Sequence, residues 1–75
     1  MTVSLFTLAA GAGADTLPST VNTVRLLDDG RYHVCAAVAR QVGALVVVEY
    51  VGGGATILGE EEHRRRLRIA AGLGP

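Results

Sequence analysis

His33 and Cys35 are the residues whose types and spacing could support covalent chemistry, because an imidazole beside a thiol can generate a nucleophilic thiolate. In an extended segment the two residues share a face, but their backbones lie about 6.5 Å apart, which is too far for a direct hydrogen bond between such short side chains. The following residues 36–38, Ala-Ala-Val, are typical of a packed environment in which a cysteine acts as a small hydrophobic residue. The sequence therefore predicts a structural Cys35 and no catalytic residue.

The chain also contains residues of the types that bind metals and cofactors. The same two residues and His63 would supply three protein ligands, one fewer than a closed structural zinc site. Gly11 and Gly13 follow an apolar stretch, as at the start of a dinucleotide-binding loop, but Thr16 stands where the third glycine belongs. A chain of 75 residues is also too short for the paired βαβ units of a dinucleotide fold. The sequence predicts no metal site and no cofactor.

Four arginines near the C-terminus, Arg64, Arg65, Arg66 and Arg68, could contact the phosphates of a nucleic acid. Three glutamates at 60–62 precede them, and each glutamate has an arginine four residues later, at the spacing of ion pairs on one helix. The net charge of the chain is zero, so no overall field attracts it to nucleic acid. This pattern favours a solvated, self-paired helix face, with nucleic-acid contact by Arg64, Arg65 and Arg68 as the alternative.

The elements that would position these residues are mainly strands. Asp28-Asp29-Gly30 lies between two β-prone segments, and Asp-Gly suits a tight hairpin turn. The segments before and after this turn, 20–28 and 35–42, are also compatible with helical spacing, so each has a helix as its alternative. Residues 2–9 are rich in β-branched and aromatic types, which predicts a first strand followed by a glycine-rich loop.

The clearest strand covers 44–51, where four consecutive aliphatic residues leave neither face polar. Glycines at 52–54 permit a sharp reversal into a short strand at 55–58. After Gly59, acidic residues followed by basic residues complement a helix dipole and predict a helix over 60–71, with a strand at 66–71 as the alternative. His63, Leu67, Ala70 and Ala71 fall on one side of this helix, which we expect to face the sheet.

Together these elements predict one domain spanning residues 1–75. Its expected fold is α+β but mainly β, a small antiparallel sheet of about four to five strands joined by hairpins and followed by one C-terminal helix. No segment is long and apolar enough to cross a membrane, and the single cysteine fits a reducing, cytoplasmic setting.

The expected function is a non-enzymatic interaction or assembly module, because the core has few aromatic residues and a small chain gains most by burying another apolar face. The expected partner is a second copy in a homodimer. We expect the second subunit to cover one face of the 44–51 strand, formed by Val46, Val48 and Tyr50 or by the alternate set of Leu45, Val47 and Val51.

Overall fold

A computed structural model describes residues 15–74, which form an antiparallel meander followed by one helix. The elements are β1 (Ser19–Leu26), β2 (Tyr32–Val42), β3 (Leu45–Tyr50), β4 (Ala55–Gly59) and α1 (Glu60–Ala70). The strands lie in the order β1-β2-β3-β4, so each strand pairs with its neighbour in the sequence. The predicted fold class is confirmed. The predicted strand at 2–9 and the glycines at 11 and 13 lie outside the described residues.

The turn between β1 and β2 is the predicted hairpin. Gly30 has a positive φ of 87°, a conformation that glycine adopts without steric cost. Its amide donates to the Leu27 carbonyl at 2.9 Å, and the Leu27 amide donates to the Arg31 carbonyl at 2.8 Å. The Asp29 carboxylate accepts hydrogen bonds from the amide and the Nε of Arg31. Local turn chemistry therefore determines where the first hairpin reverses.

The segments with ambiguous spacing are both strands, so the strand prediction for 20–28 is confirmed and the helix alternative for 35–42 is wrong. Strand β2 pairs with β1 through residues 32–39 and with β3 through residues 37–42. Because β2 is the inner partner of two strands, its backbone hydrogen bonds extend to both sides and outweigh the helical preference of its alanines.

The core lies on the side of the sheet that carries α1. His63, Leu67 and Ala70 of α1 are half-buried, in agreement with the predicted stripe, whereas Ala71 is exposed because the helix ends at Ala70. The helix prediction is confirmed, and the strand alternative at 66–71 is wrong. Small residues on β2 opposite larger ones on β3 make this core thin. Its buried residues are Ala37, Ala39, Val46, Val48 and Tyr50, and the half-buried Val21, Cys35 and Leu58 pack against them.

Strand β1 is the strand that the helix contacts most. Its successive residues Thr23 and Val24 are both buried, with exposed fractions of 1% and 0%. Because alternate residues of a strand point to opposite faces, β1 is covered on both faces at this point. The edge of the sheet formed by β1 is thus integrated into the fold, whereas β4, the other edge, keeps Ala55, Ile57 and Gly59 exposed.

Candidate interaction surfaces

The face of the sheet opposite the core carries a patch of apolar side chains, which we call the outer face. The exposed fractions of Val42, Leu45 and Ile57 on it are 38%, 49% and 62%. Contiguous apolar exposure of this kind marks an interaction surface more often than isolated exposed residues do. The outer face comprises the outward-pointing residues of the last three strands, namely Val38, Arg40, Val42, Leu45, Val47, Glu49 and Ile57.

The first predicted partner set lies in the core of its own chain, and not on an accessible surface. Val46, Val48 and Tyr50 are 5%, 1% and 9% exposed and belong to the core of their own chain. A second subunit could contact their side chains only if the core opened. The cause is packing among the strands: these residues share a face with the buried Ala37 and Ala39 of β2, and Val21 and Leu58 pack against the same cluster.

The alternate set is the accessible one. Leu45 and Val47 lie on the outer face, and Val51 follows β3 with 72% of its surface exposed. Ile57 of β4 is directly opposite Val47, and sequence reasoning did not select it. The sequence could have predicted the position of Ile57, because a hairpin turn at 52–54 combined with strict alternation places Ile57 and Val47 on one face.

Ion pairs along α1 reproduce most of the predicted pattern. The guanidinium of Arg64 lies 3.9 Å from a carboxylate oxygen of Glu60, and Arg66 Nε lies 2.7 Å from Glu62 Oε2. Two of the three predicted i,i+4 pairs are therefore confirmed. Such pairs on an exposed helix contribute a few tenths of a kcal/mol each, about 0.2–0.5 kcal/mol in isolated helices.

The third predicted pair, Glu61 with Arg65, is wrong. Glu61 pairs instead with Arg64 at 3.4 Å, and Arg65 donates two hydrogen bonds of 2.9 Å to Glu62. The reason is tertiary: Arg65 also donates a hydrogen bond of 2.6 Å to the hydroxyl of Tyr32, at the start of β2. This contact turns Arg65 toward the sheet and away from Glu61.

The network around Glu62 is the strongest electrostatic feature of the helix. Hydrogen bonds from Arg65 and then from Arg66 lower the pKa of Glu62 to about 2. The bonds with Glu62 and Tyr32 raise the pKa of Arg65 above its already high ordinary value. Among residues 15–74, Arg68 is the one arginine of the cluster without an acidic partner. Nucleic-acid binding by Arg64 and Arg65 would therefore compete with existing ion pairs.

The residues considered for covalent or metal chemistry are not brought together. His33 is exposed on β2, Cys35 is a half-buried free thiol against the core, and His63 is on α1. Within the described part of the chain, no group of three or more His, Cys, Asp and Glu side chains is arranged to hold a metal ion. The position of Cys35 fits the packing role that the sequence predicts for it.

His63 lies at a cleft of about 130 Å³ between the helix and the sheet. His63 Nδ1 is buried and has no hydrogen-bond partner among residues 15–74. Burial, and then repulsion from Arg64, lower the pKa of His63 below its ordinary value of 6.5. The other residues that line the cleft are Thr16, Ser19, Val21, Ala39, Arg40, Gln41 and Val46.

We expect the free energy of unfolding to decrease as the pH falls from about 7.5 to about 5.5. The unfolded chain binds a proton at His63 near pH 6.5, whereas the folded chain resists protonation because its pKa is lowered. The stability from neutral His63 is therefore complete above pH 6.5 and is lost as the pH falls through the folded-state pKa. Urea unfolding at several pH values measures this slope.

The control is His63→Gln, which keeps a polar side chain but does not titrate. Its stability should vary less over the same interval, and Glu62 adds little slope there because both its ordinary pKa of 4.5 and its lowered pKa of about 2 lie below the interval. Equal slopes for the two proteins would show that His63 does not account for the pH dependence.

No protein-family model matches the chain, and no curated protein or solved structure is significantly similar to it. Within residues 15–74, no helix is both long enough and apolar enough to span a membrane.

Proposed function

We propose that this protein is a non-enzymatic assembly module that forms a homodimer through its outer face. The observation that carries the proposal is the exposure of Val42, Leu45 and Ile57 on the face of the sheet opposite the helix. Within residues 15–74, the core on the other face is thin, and Tyr50 is the one aromatic residue of its buried cluster. Covering the outer face would give this small sheet a second apolar layer, the arrangement of a sandwich.

The size of the outer face sets the expected affinity. Three strands spaced about 4.8 Å apart, with about six residues rising about 3.3 Å each, cover only a few hundred Å². A standard stable interface buries about 800 Å² on each partner. We therefore expect a dimer in the micromolar range that exchanges with monomer. We also propose a cytoplasmic location, because the free cysteine, Cys35, needs no oxidising environment.

Replacing Ile57 with aspartate should abolish this dimer while the fold is retained. Ile57 is 62% exposed on an edge strand, so the substitution leaves the core intact and places an unpaired charge in the interface. Sedimentation equilibrium from about 1 µM to about 500 µM measures the association, since the expected dissociation constant lies within that range. Circular dichroism reports whether the sheet is preserved.

Leu73→Asp provides the matched control, because Leu73 is 76% exposed and lies beyond the end of α1 rather than on a strand of the outer face. This variant should dimerise like the wild type. A wild-type protein that remains monomeric across the whole range would exclude the proposal. Binding to a DNA duplex at physiological salt, weakened by replacing Arg64 and Arg65 with alanine, would support nucleic-acid association instead.

A further inference from the structure

Arg40 and Glu49 are opposite charges on an otherwise largely apolar outer face. Both side chains are exposed, and neither takes part in an ion pair or a hydrogen bond within residues 15–74. By contrast, Arg31 and Arg66 each pair with a carboxylate of their own chain. The outer face thus presents one unpaired base and one unpaired acid.

Their positions in the sheet are related in a simple way. Arg40 of β2 is directly opposite Val47 of β3, and Val38 is directly opposite Glu49. The four residues therefore mark a rectangle of about 5 by 7 Å, given the spacing between strands and the rise per two residues. The two charges occupy one diagonal and the two valines occupy the other. This rectangle lies on the two central strands.

A two-fold axis can satisfy both charges at once. Consider two copies whose outer faces meet and which are related by a two-fold axis lying in the plane between them. If this axis passes over the midpoint of the Arg40–Glu49 diagonal and is perpendicular to that diagonal, Arg40 of each copy lies over Glu49 of the other. The valine diagonal then lies close to the axis, so Val38 and Val47 approach their own counterparts. The half-buried valines would form the apolar centre of the contact, with Ile57 around it.

The geometry points to a self-complementary dimer in which two reciprocal Arg40–Glu49 pairs determine the relative orientation of the copies. This inference rests on the proposed dimerisation through the outer face and adds the arrangement of the partner. An uncompensated charge covered by an apolar surface is costly, whereas a reciprocal pair compensates both charges. Rotated arrangements that place Arg40 over Arg40 or leave Glu49 covered and unpaired are disfavoured, so the pairs supply specificity more than affinity.

Charge reversal tests the arrangement. Arg40→Glu alone places acid over acid in both pairs, and Glu49→Arg alone places base over base, so each variant should dimerise at least about tenfold more weakly than the wild type. Sedimentation equilibrium measures these homodimers.

Two recombinations of the same changes should restore the dimer. In an equimolar mixture of the two single variants, both acids of one chain face both bases of the other at positions 40 and 49, so heterodimers should form. The double variant Arg40→Glu/Glu49→Arg exchanges the two charges within each chain and should dimerise with near wild-type affinity. Native mass spectrometry identifies the heterodimer by its mass.

Two controls make the result interpretable. Arg68→Glu and Glu61→Arg make the same charge changes on exposed positions of α1 and should leave dimerisation unchanged. Circular dichroism, and unfolding midpoints measured well below the dimer dissociation constant, should closely match the wild type for all variants, because the substituted side chains are exposed. Recovery of dimer in the double variant and in the mixture excludes misfolding as the cause of the single-variant losses.

The outcomes separate this inference from the proposed function. A wild-type dimer that Ile57→Asp disrupts, but that neither charge reversal weakens, would overturn the paired arrangement and leave the outer-face dimer standing. Weakened single variants without recovery in the mixture or the double variant would also overturn it. A monomeric wild type would reject both proposals.

Discussion

Replacing Val48 with alanine is expected to lower the free energy of unfolding by about 2 kcal/mol, whereas Val47→Ala should lower it by less than about 1 kcal/mol. The two valines are adjacent on β3, so their backbone environment and β propensity are closely matched. Val48 is 1% exposed and belongs to the core cluster, while Val47 is half-buried on the outer face. Truncating Val48 removes two methyl groups from water-free packing and leaves a cavity; truncating Val47 leaves a surface that water can reach.

Urea unfolding at a protein concentration well below the expected dimer dissociation constant measures both values on the monomer. Repeating the experiment at high concentration adds a second readout, because Val47 then also loses contacts in the dimer. Equal losses for the two variants at low concentration would show that β3 does not have one buried and one open face.

Replacing Gly54 with alanine is expected to lower the free energy of unfolding by about 2–3 kcal/mol, through two separate effects. Gly54 has φ of +90°, where an L-residue is strained by about 1–2 kcal/mol. A methyl group there would also lie 2.5 Å from Arg25 Nη2. Arg25 donates a hydrogen bond of 2.9 Å to the Gly53 carbonyl, and its guanidinium lies 4.7 Å from the centre of the Tyr50 ring. We call these two contacts of Arg25, which join β1 to Tyr50 and the turn after β3, the Arg25 clamp. Displacing Arg25 weakens this clamp.

Neighbouring glycines separate the two effects. Gly53 has φ of +105° but open space where an added methyl group would lie, so Gly53→Ala should cost the backbone strain alone. Gly52 has open space and no such φ, so Gly52→Ala should be near neutral. In an Arg25→Ala background, the cost of Gly54→Ala should fall to that of Gly53→Ala. A double-mutant cycle without coupling between positions 25 and 54 would disprove the clamp.

The β architecture was largely predictable because local chemistry specifies it. Asp29-Gly30 and the glycines at 52–54 place reversals between β-prone segments, and short connections make successive strands antiparallel neighbours. The acidic start and basic end of 60–70 specify a helix in the same local way. The ambiguity at 35–42 could not be resolved locally, because an alanine-rich segment satisfies either periodicity until its neighbours on both sides supply strand partners.

What the sequence by itself determined was the alternation along β3, which divides its residues into two apolar faces. Only the tertiary structure decided which face is the core, because that depends on which side of the sheet the other elements pack against, and both faces of β3 offered aliphatic side chains. Val46, Val48 and Tyr50 are on the core side, and the opposite face of β3 is open. The proximity of Arg40 to Glu49 likewise follows from register, since charges nine residues apart become neighbours only when two strands align.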